Sequence, residues 1–378
     1  MRNPLLLAPV FLLLLSAVLP SVAAESPVHG TLDTIGSGED TVSVLKLWGT
    51  PYEMGYAHGK LCADRVQAFS ARIVTAMCLG MGLQPSDLDK AWEQMRPFVA
   101  PRYLEEMRGL ADGAGLDLQL VERAHAVPDV SEFHCTFFAA WGAATRDGHL
   151  HQIRALDYAT QAGIQNEPAL IVYRPDGRNP FVAVGWLGFI GCVTGMNAQH
   201  IALSEIGEHF SDEVETLDGE PMPFLMRRVL EDASDLQTAL GIFRQAHRTS
   251  SYLYCVSDAK IPSARALRTS RDFCHDYAPE EFGALSLQDT VQWSMGCDSP
   301  WNLRLFWTLQ AHHGQIDEQV GMMEVMRRLG TGNLHAVHFD VTDLELWVAN
   351  ATPGPEVRPA YDQDFVYFSL PKALDVAR

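Results

Sequence analysis

The sequence predicts an α+β fold, and three observations carry that expectation. The first third of the chain shows helical apolar spacing punctuated by proline and glycine. From Cys135 onward the chain breaks into short apolar runs of strand length, separated by turn signals such as Arg146-Asp147-Gly148 and Pro175-Asp176-Gly177. Helical segments interrupt those runs in pairs and do not alternate with them, which favours antiparallel sheets over a doubly wound βαβ arrangement.

Residues 1–24 stand apart from the rest. Arg2 precedes a short apolar stretch broken by Pro9 and Ser16, and Ser21-Val22-Ala23-Ala24 closes it with small residues. That order describes a signal peptide, so the mature protein is expected outside the cytoplasm: secreted, periplasmic or lysosomal, with no stable membrane span. Residues 25–50 form a β-rich lead-in, alternating at period 2 from Thr41 to Leu47. A long helical pattern then runs from Gly49 to about Cys78. A second helix opens at Pro85-Ser86 with Ser86 as N-cap, a third covers 102–110, and a fourth covers 118–127 before Pro128. Strands are expected near 135–143, 149–155, 169–173, 181–184 and 196–204, then helices over 223–230 and 236–247. Further strands fall near 252–256, 264–269, 335–341, 344–349 and 365–370, with helical segments at 302–312 and 319–329.

The chain has 378 residues and carries 28 Lys+Arg against 47 Asp+Glu, a net charge of −19. A polyanion is repelled by such a chain, so nucleic acid is not an expected partner. Seven cysteines, none at CxxC spacing, exclude a zinc ribbon and a thioredoxin-like motif. In an oxidising compartment six of them can form three disulfides and leave one thiol over. The sequence contains no GxSxG, HExxH or GxxxxGK[ST] pattern. His149 and His151 share a strand face, while His335 and His338 point to opposite faces; with no acidic cluster beside them, neither metal nor cofactor is expected.

The distinctive passage is Glu132-Phe133-His134-Cys135-Thr136-Phe137-Phe138, followed by Thr145-Arg146-Asp147-Gly148 and Ile153-Arg154-Ala155-Leu156-Asp157-Tyr158. It reads as a β-hairpin that begins with a cysteine and whose return strand delivers an arginine and an aspartate. A thiol becomes a nucleophile when a base is near and positive charge favours the thiolate. A backbone cut between His134 and Cys135 would supply that base as a new α-amino group, whose ordinary pKa of about 7.7–8.0 suits proton transfer near neutrality. The same residues also fit a half-buried strand cysteine, or a disulfide partner, beside an ordinary ion pair.

The stretch from Cys135 to Asp157 resembles the nucleophile hairpin of the cysteine-type N-terminal nucleophile (Ntn) hydrolases. That superfamily includes choloylglycine hydrolases, penicillin V acylases, acid ceramidase and the isopenicillin-N / acyl-CoA:6-aminopenicillanic acid acyltransferase-like group. Leu47-Trp48-Gly49-Thr50-Pro51-Tyr52-Glu53-Met54-Gly55-Tyr56-Ala57-His58-Gly59 and Glu105-Glu106-Met107-Arg108-Gly109-Leu110-Ala111-Asp112-Gly113-Ala114-Gly115 are similar to segments of the last group. So is Gly195-Met196-Asn197 with Ile201-Ala202-Leu203-Ser204-Glu205, and the resemblance covers nearly all of residues 25–378.

The resemblance implies a four-layer αββα sandwich, and self-cleavage into a helical smaller chain (25–134) and a catalytic larger chain (135–378). It implies Cys135 as the nucleophile, Arg154 and Asp157 beside it, and Asn197 as an oxyanion-hole or positioning residue. The two cleaved chains would stay associated. The implied activity is hydrolysis of the amide bond of a small N-acylated amine or amino acid through an acyl-thioester. An acyltransferase using the same intermediate, or an inactive secreted binding protein, are the alternatives. In the later third the family's Thr-Asn oxyanion pair is replaced by Gly296-Cys297-Asp298-Ser299. An ionised Asp298 cannot donate a hydrogen bond, so Asn302, Asn333 or backbone N–H groups become the candidates for that part.

Overall fold

The computed structural model describes residues 27–131, 135–210 and 214–375. The expected signal peptide and His134, the residue before the expected cut, lie outside the described residues. Strands β1 (Gly30–Ile35) and β2 (Val42–Gly49) lead into five helices: α1 (Pro51–Leu61), α2 (Ala63–Met81), α3 (Pro85–Met95), α4 (Pro101–Ala114) and α5 (Leu118–Val130). Then come β3 (Cys135–Ala140), β4 (His151–Leu156), β5 (Pro168–Pro175), β6 (Phe181–Trp186), β7 (Thr194–Asn197) and β8 (Ile201–Gly207). Helices α6 (Met222–Asp232) and α7 (Leu236–Gln245) precede β9 (Tyr252–Asp258), β10 (Ser263–Thr269), β11 (Cys274–Tyr277) and β12 (Thr290–Ser294). Helix α8 (Trp301–Ala311) and a π-helical segment, Val320–Arg327, precede β13 (His335–Asp340), β14 (Glu345–Asn350), β15 (Val366–Ser369) and α9 (Leu370–Leu374).

The strands form two sheets, ordered β1-β2-β5-β6-β7-β8-β9-β10-β11 and β12-β3-β4-β13-β14-β15. Every pairing is antiparallel except β2 with β5, which is parallel. Side chains alternate across the second sheet, as a pleat requires. Phe137, Ala139 and Val337 join the large core facing the first sheet, and Phe138, Ile153, Ala155 and Ala336 join a second core. Leu305 and Leu309 of α8 close that second core together with Val320, Val325 and Met326 of the π segment. Between the sheets, Gln152 Nε2 donates to Ser204 Oγ at 2.8 Å and Ser204 Oγ donates to the Ile153 carbonyl at 3.0 Å. On the far side of the first sheet, α6 lies against β7 and β8, and α7 against β9, where the Phe243 and Tyr254 rings stand 4.5 Å apart. Helix, sheet, sheet, helix is the four-layer α+β sandwich expected.

Helices α1 and α4 are held together by close backbone approach. Gly55 and Gly59 of α1 meet Gly109 and Gly113 of α4 so tightly that a Cβ on any of them would stand 2.0–2.4 Å from a carbonyl oxygen of the other helix. Segments 47–59 and 105–115 are thus one packed pair.

Several elements differ from the sequence expectation. The long first helix breaks at Cys62 (φ −128°, ψ 26°), giving α1 and α2. Gln84, not Ser86, precedes α3, with Asp87 answering its backbone N–H at 2.9 Å and Pro85 fitting the first turn, where a missing N–H costs nothing. Helix α5 continues through Pro128 because Ser131 Oγ ties its last turn to the Val127 carbonyl at 3.0 Å and Asp129 Oδ1 accepts from Met222 N–H and Thr249 Oγ1. The strand expected over 196–204 is a hairpin, β7 and β8, turning through His200 at φ 59°. Strands β11 and β12 were not anticipated.

The expected disulfides are absent: none of the seven cysteines is bonded to another. Strand register explains part of this. Cys255 faces Ser204 and Ala266, Cys274 faces Thr269, and Cys135 faces Leu156, so none of these three has a cysteine opposite it.

Candidate active site

Cys135 opens β3, buried, with Leu156 opposite on β4, so the expected hairpin is present with Phe137 facing Arg154. Its carbonyl accepts the Met295 N–H at 2.7 Å, which fixes the backbone beside the expected scissile bond. Burial pushes the Cys135 thiol up to about 12; Arg154 opposes that rise, the Glu205 and Asp157 charges add to it, and the Asp157 backbone N–H opposes it again. In the uncut chain the thiol is therefore protonated at neutral pH and needs a base to act.

Arg154 is wholly buried, hydrogen-bonds Cys135 and forms an ion pair with Glu205, which reaches across from β8 of the other sheet. A guanidinium without water is tolerable only with such a partner. Asp157 follows β4 immediately. Its carboxylate accepts from Thr331 Oγ1 at 2.8 Å, Gly332 N–H at 2.9 Å and Asn333 N–H at 2.8 Å. Burial raises the Asp157 pKa, and those three donors work against the rise. The hydroxyls of Ser294, Thr136 and Thr331 stand 2.8 Å apart at each step and end on Asp157. Three of the four expected residues, Cys135, Arg154 and Asp157, are thus brought together.

Asn197 is not brought to them. It is fully buried at the end of β7, where Nδ2 donates to the Leu230 and Ala233 carbonyls and Oδ1 accepts from Gln199 and Ile201 N–H. Every hydrogen-bonding site of its amide ties the β7–β8 turn to the end of α6. The other candidate oxyanion donors are committed as well. Asn302 accepts the Ser294 N–H and donates to the Gly296 and Cys297 carbonyls, shaping the turn at Met295 and Gly296, and Asn333 is bonded both ways to the Tyr158 backbone. Asp298 is not buried.

Cys135 lies in the wall of an apolar cavity with about 620 Å³ of empty space, its open mouth included. Phe69 and Ile73 of α2, Val127 and Pro128 of α5, Leu156, Trp186 and Phe189 supply much of its surface. The apolar run Trp186-Leu187-Gly188-Phe189-Ile190 is divided: Trp186 and Phe189 line the cavity, while Leu187 and Ile190 are core. Two buried histidines hold that loop. Gly188 N–H donates to His58 Nε2 at 2.9 Å and Ile190 N–H donates to His125 Nε2 at 3.0 Å. Burial depresses these imidazoles, to about 3 for His58 and about 4 for His125, so both remain neutral acceptors. The polar groups on the cavity wall include Ser131, Tyr158, Tyr252 and Glu205, and no asparagine or glutamine lines it among the described residues. Glu205 was visible only as the last residue of a family-like segment, with nothing local to mark it as the partner of Arg154. Thr331 had no signal at all, since its role depends on a contact with Asp157 made 174 residues away in sequence.

No family model matches the sequence. The chain is 26% identical to protein dcd1B of Dictyostelium discoideum over 391 residues, covering 92% of this chain and 78% of that one. It is 24% identical to protein dcd1A of the same organism, covering 92% and 89%. Among solved structures, the Caenorhabditis elegans ortholog of N-acylethanolamine-hydrolyzing acid amidase aligns over 55% of this chain and 93% of its own at 16% identity and a TM-score of 0.44. A mutant form of the conjugated bile acid hydrolase of Clostridium perfringens aligns over 62% and 96% at 10% identity and a TM-score of 0.41. The layer order described above rests on this chain's own packing and not on those alignments.

Proposed function

We propose that this chain is an exported cysteine Ntn hydrolase that cuts itself before Cys135 and cleaves the amide bond of a small N-acylated amine or amino acid. The observation that carries the reading is Cys135 in the wall of an apolar cavity, with Arg154 at its thiol and Asp157 on the adjoining strand end. In the precursor, the Cys135 sulfur attacks the His134 carbonyl and the peptide nitrogen departs as the Cys135 α-amine; water then hydrolyses the resulting thioester. The larger chain begins at that amine, which removes the thiol proton in each later turnover while Asp157 orients it. Acyl transfer to sulfur expels the substrate amine, and water releases the acid. The apolar wall of Trp186, Phe189 and Phe69 suits an apolar acyl group.

Mass spectrometry of the mature protein tests this reading. Expected are two chains of 110 and 244 residues, the larger starting at Cys135, with an acyl adduct on Cys135 after brief incubation with a chromogenic N-acyl amide. Release of the acyl group to an added amine in preference to water would make the same intermediate an acyltransferase's. A second reading, a binding protein with the same cavity and no turnover, is favoured by the commitment of Asn197, Asn302 and Asn333 to structural hydrogen bonds. A single uncut chain that binds such amides without cleaving them would establish it.

A further inference from the structure

The end of the second sheet remote from Cys135 carries a cluster that the proposed reaction does not use. In the β3–β4 register Cys135 faces Leu156 at one end and Ala140 faces His151 at the other, five residues or about 17 Å along the strand. There the turn before β4 supplies Asp147 and His149, β4 supplies His151, and the last residue of β13 supplies Asp340. The expectation that the histidines lacked acidic partners is overturned: Asp340 comes from nearly two hundred residues away and was invisible to local spacing.

The donor atoms converge. His149 Nδ1 lies 2.9 Å from Asp340 Oδ2 and 3.7 Å from Asp147 Oδ2, and His151 Nε2 lies 3.3 Å from Asp147 Oδ1. The ligand atoms of Asp147, His151 and Asp340 all fall within 4.8 Å of one another, and His149 adjoins them through Asp340, in a second such group completed by Asp343. Ligands about 2.1 Å from a tetrahedral zinc ion stand about 3.4 Å apart, the middle of the observed spacings. The supporting shell is also in place. His151 Nδ1 is 3.0 Å from His338 Nε2, a buried neighbour that fixes the ring, and the Asp343 N–H holds Asp340 Oδ1 at 3.1 Å.

We propose that Asp147, His149, His151 and Asp340 bind a zinc ion that clasps the β3–β4 turn to the β13–β14 turn. Two imidazoles with two carboxylates suit zinc better than calcium or magnesium, which favour oxygen-only shells. The two turns already touch, through Leu150 N–H donating to Thr342 Oγ1 at 2.9 Å. The clasp is structural, since it sits at the far end of the hairpin from the thiol.

The test uses the full mature protein stripped with a chelator and titrated with zinc alone, then with cobalt(II). Expected are one ion per chain, a higher melting temperature with zinc, and tetrahedral cobalt absorption without a thiolate charge-transfer band. Asp147→Asn and His149→Gln alter partly exposed side chains and spare the core, and each should weaken zinc binding about tenfold or more, as loss of a ligand does. Cys135→Ala should bind zinc as the wild type does. Absence of stoichiometric binding, a thiolate band, or unchanged affinity in the Asp147→Asn/His149→Gln double variant overturns the proposal.

Discussion

At the residue scale, charge distinguishes the candidate nucleophile from Cys255, although buried Cys192 also lies near Arg227 and Arg154. Cys255 is equally buried, but burial alone sets its thiol, whereas Cys135 has Arg154 against it and Glu205 behind. Replacing Glu205 with Gln removes a negative charge that raises the Cys135 thiol, so the thiol pKa should fall, read as alkylation of Cys135 in the folded protein at lower pH. The same change strands Arg154 without a counter-charge and should cost about 3 kcal/mol in urea unfolding. Asp157→Asn keeps the shape but loses the anion that Thr331, Gly332 and Asn333 are arranged to hold. Self-cleavage and turnover should both drop at least a hundredfold, the consequence of losing about 3 kcal/mol of transition-state stabilisation. Near-normal turnover in Asp157→Asn would mean that the proposed mechanism is wrong. Cys135, Arg154 and Asp157 were legible because they share one hairpin. The sequence around Asn197 does not separate the two roles, because a buried asparagine at a turn has the same local sequence whether it serves a ligand or the backbone.

At the scale of elements, the α1–α4 contact and the cavity loop make opposite demands. The first needs the absence of side chains: a Cβ on Gly109 would stand 2.3 Å from the Tyr52 carbonyl oxygen. Gly109→Ala should therefore destabilise by about 2–3 kcal/mol or more, although alanine is the better helix former, and denaturant unfolding will show it. The loop from Gly188 to Ile190 instead depends on two uncharged imidazoles. Because the folded state depresses His125 from 6.5 to about 4, the unfolded chain binds the proton first as pH falls. The stability that neutral His125 provides is complete above pH 6.5 and is lost as pH drops toward 4. His125→Gln should flatten the slope of unfolding free energy against pH in that window by about one proton, or about 1.4 kcal/mol per pH unit. An unchanged slope would show that His125 is not the titrating group. Hairpin β3–β4 was readable from its apolar runs and the Arg146-Asp147-Gly148 turn signal between them, and helices α6 and α7 from helical spacing. Strand β11, with Cys274, His275 and Asp276 on an edge, has no apolar alternation to read, while β12 offers only Val291 and Trp293, too short a pattern to mark a strand.

At the scale of the whole molecule, the division between a helical first third and a strand-rich remainder seen in the sequence is not a division of the fold. Strand β2 precedes the proposed cut and β5 follows it, yet the two pair in parallel over seven residues, from Ser43 with Ala169 to Gly49 with Pro175. Long-range pairing of this kind leaves no local trace, because a parallel neighbour must arrive from far along the chain. The two proposed chains should accordingly elute as one species in native size exclusion and separate only in denaturant. The seam also gives the protein a history. If the proposed cut is made, the precursor folds with β2 tethered to β5 by its own backbone, a unimolecular closure. After the proposed cleavage that tether would be gone, and any molecule that unfolded would have to find its partner by diffusion before the sheet could close. Heated mature protein should recover slowly and only at high concentration, whereas uncut Cys135→Ala should recover at a rate independent of concentration. A protein cut as proposed would be assembled once, its lifetime set by how seldom it opens rather than by how readily it refolds.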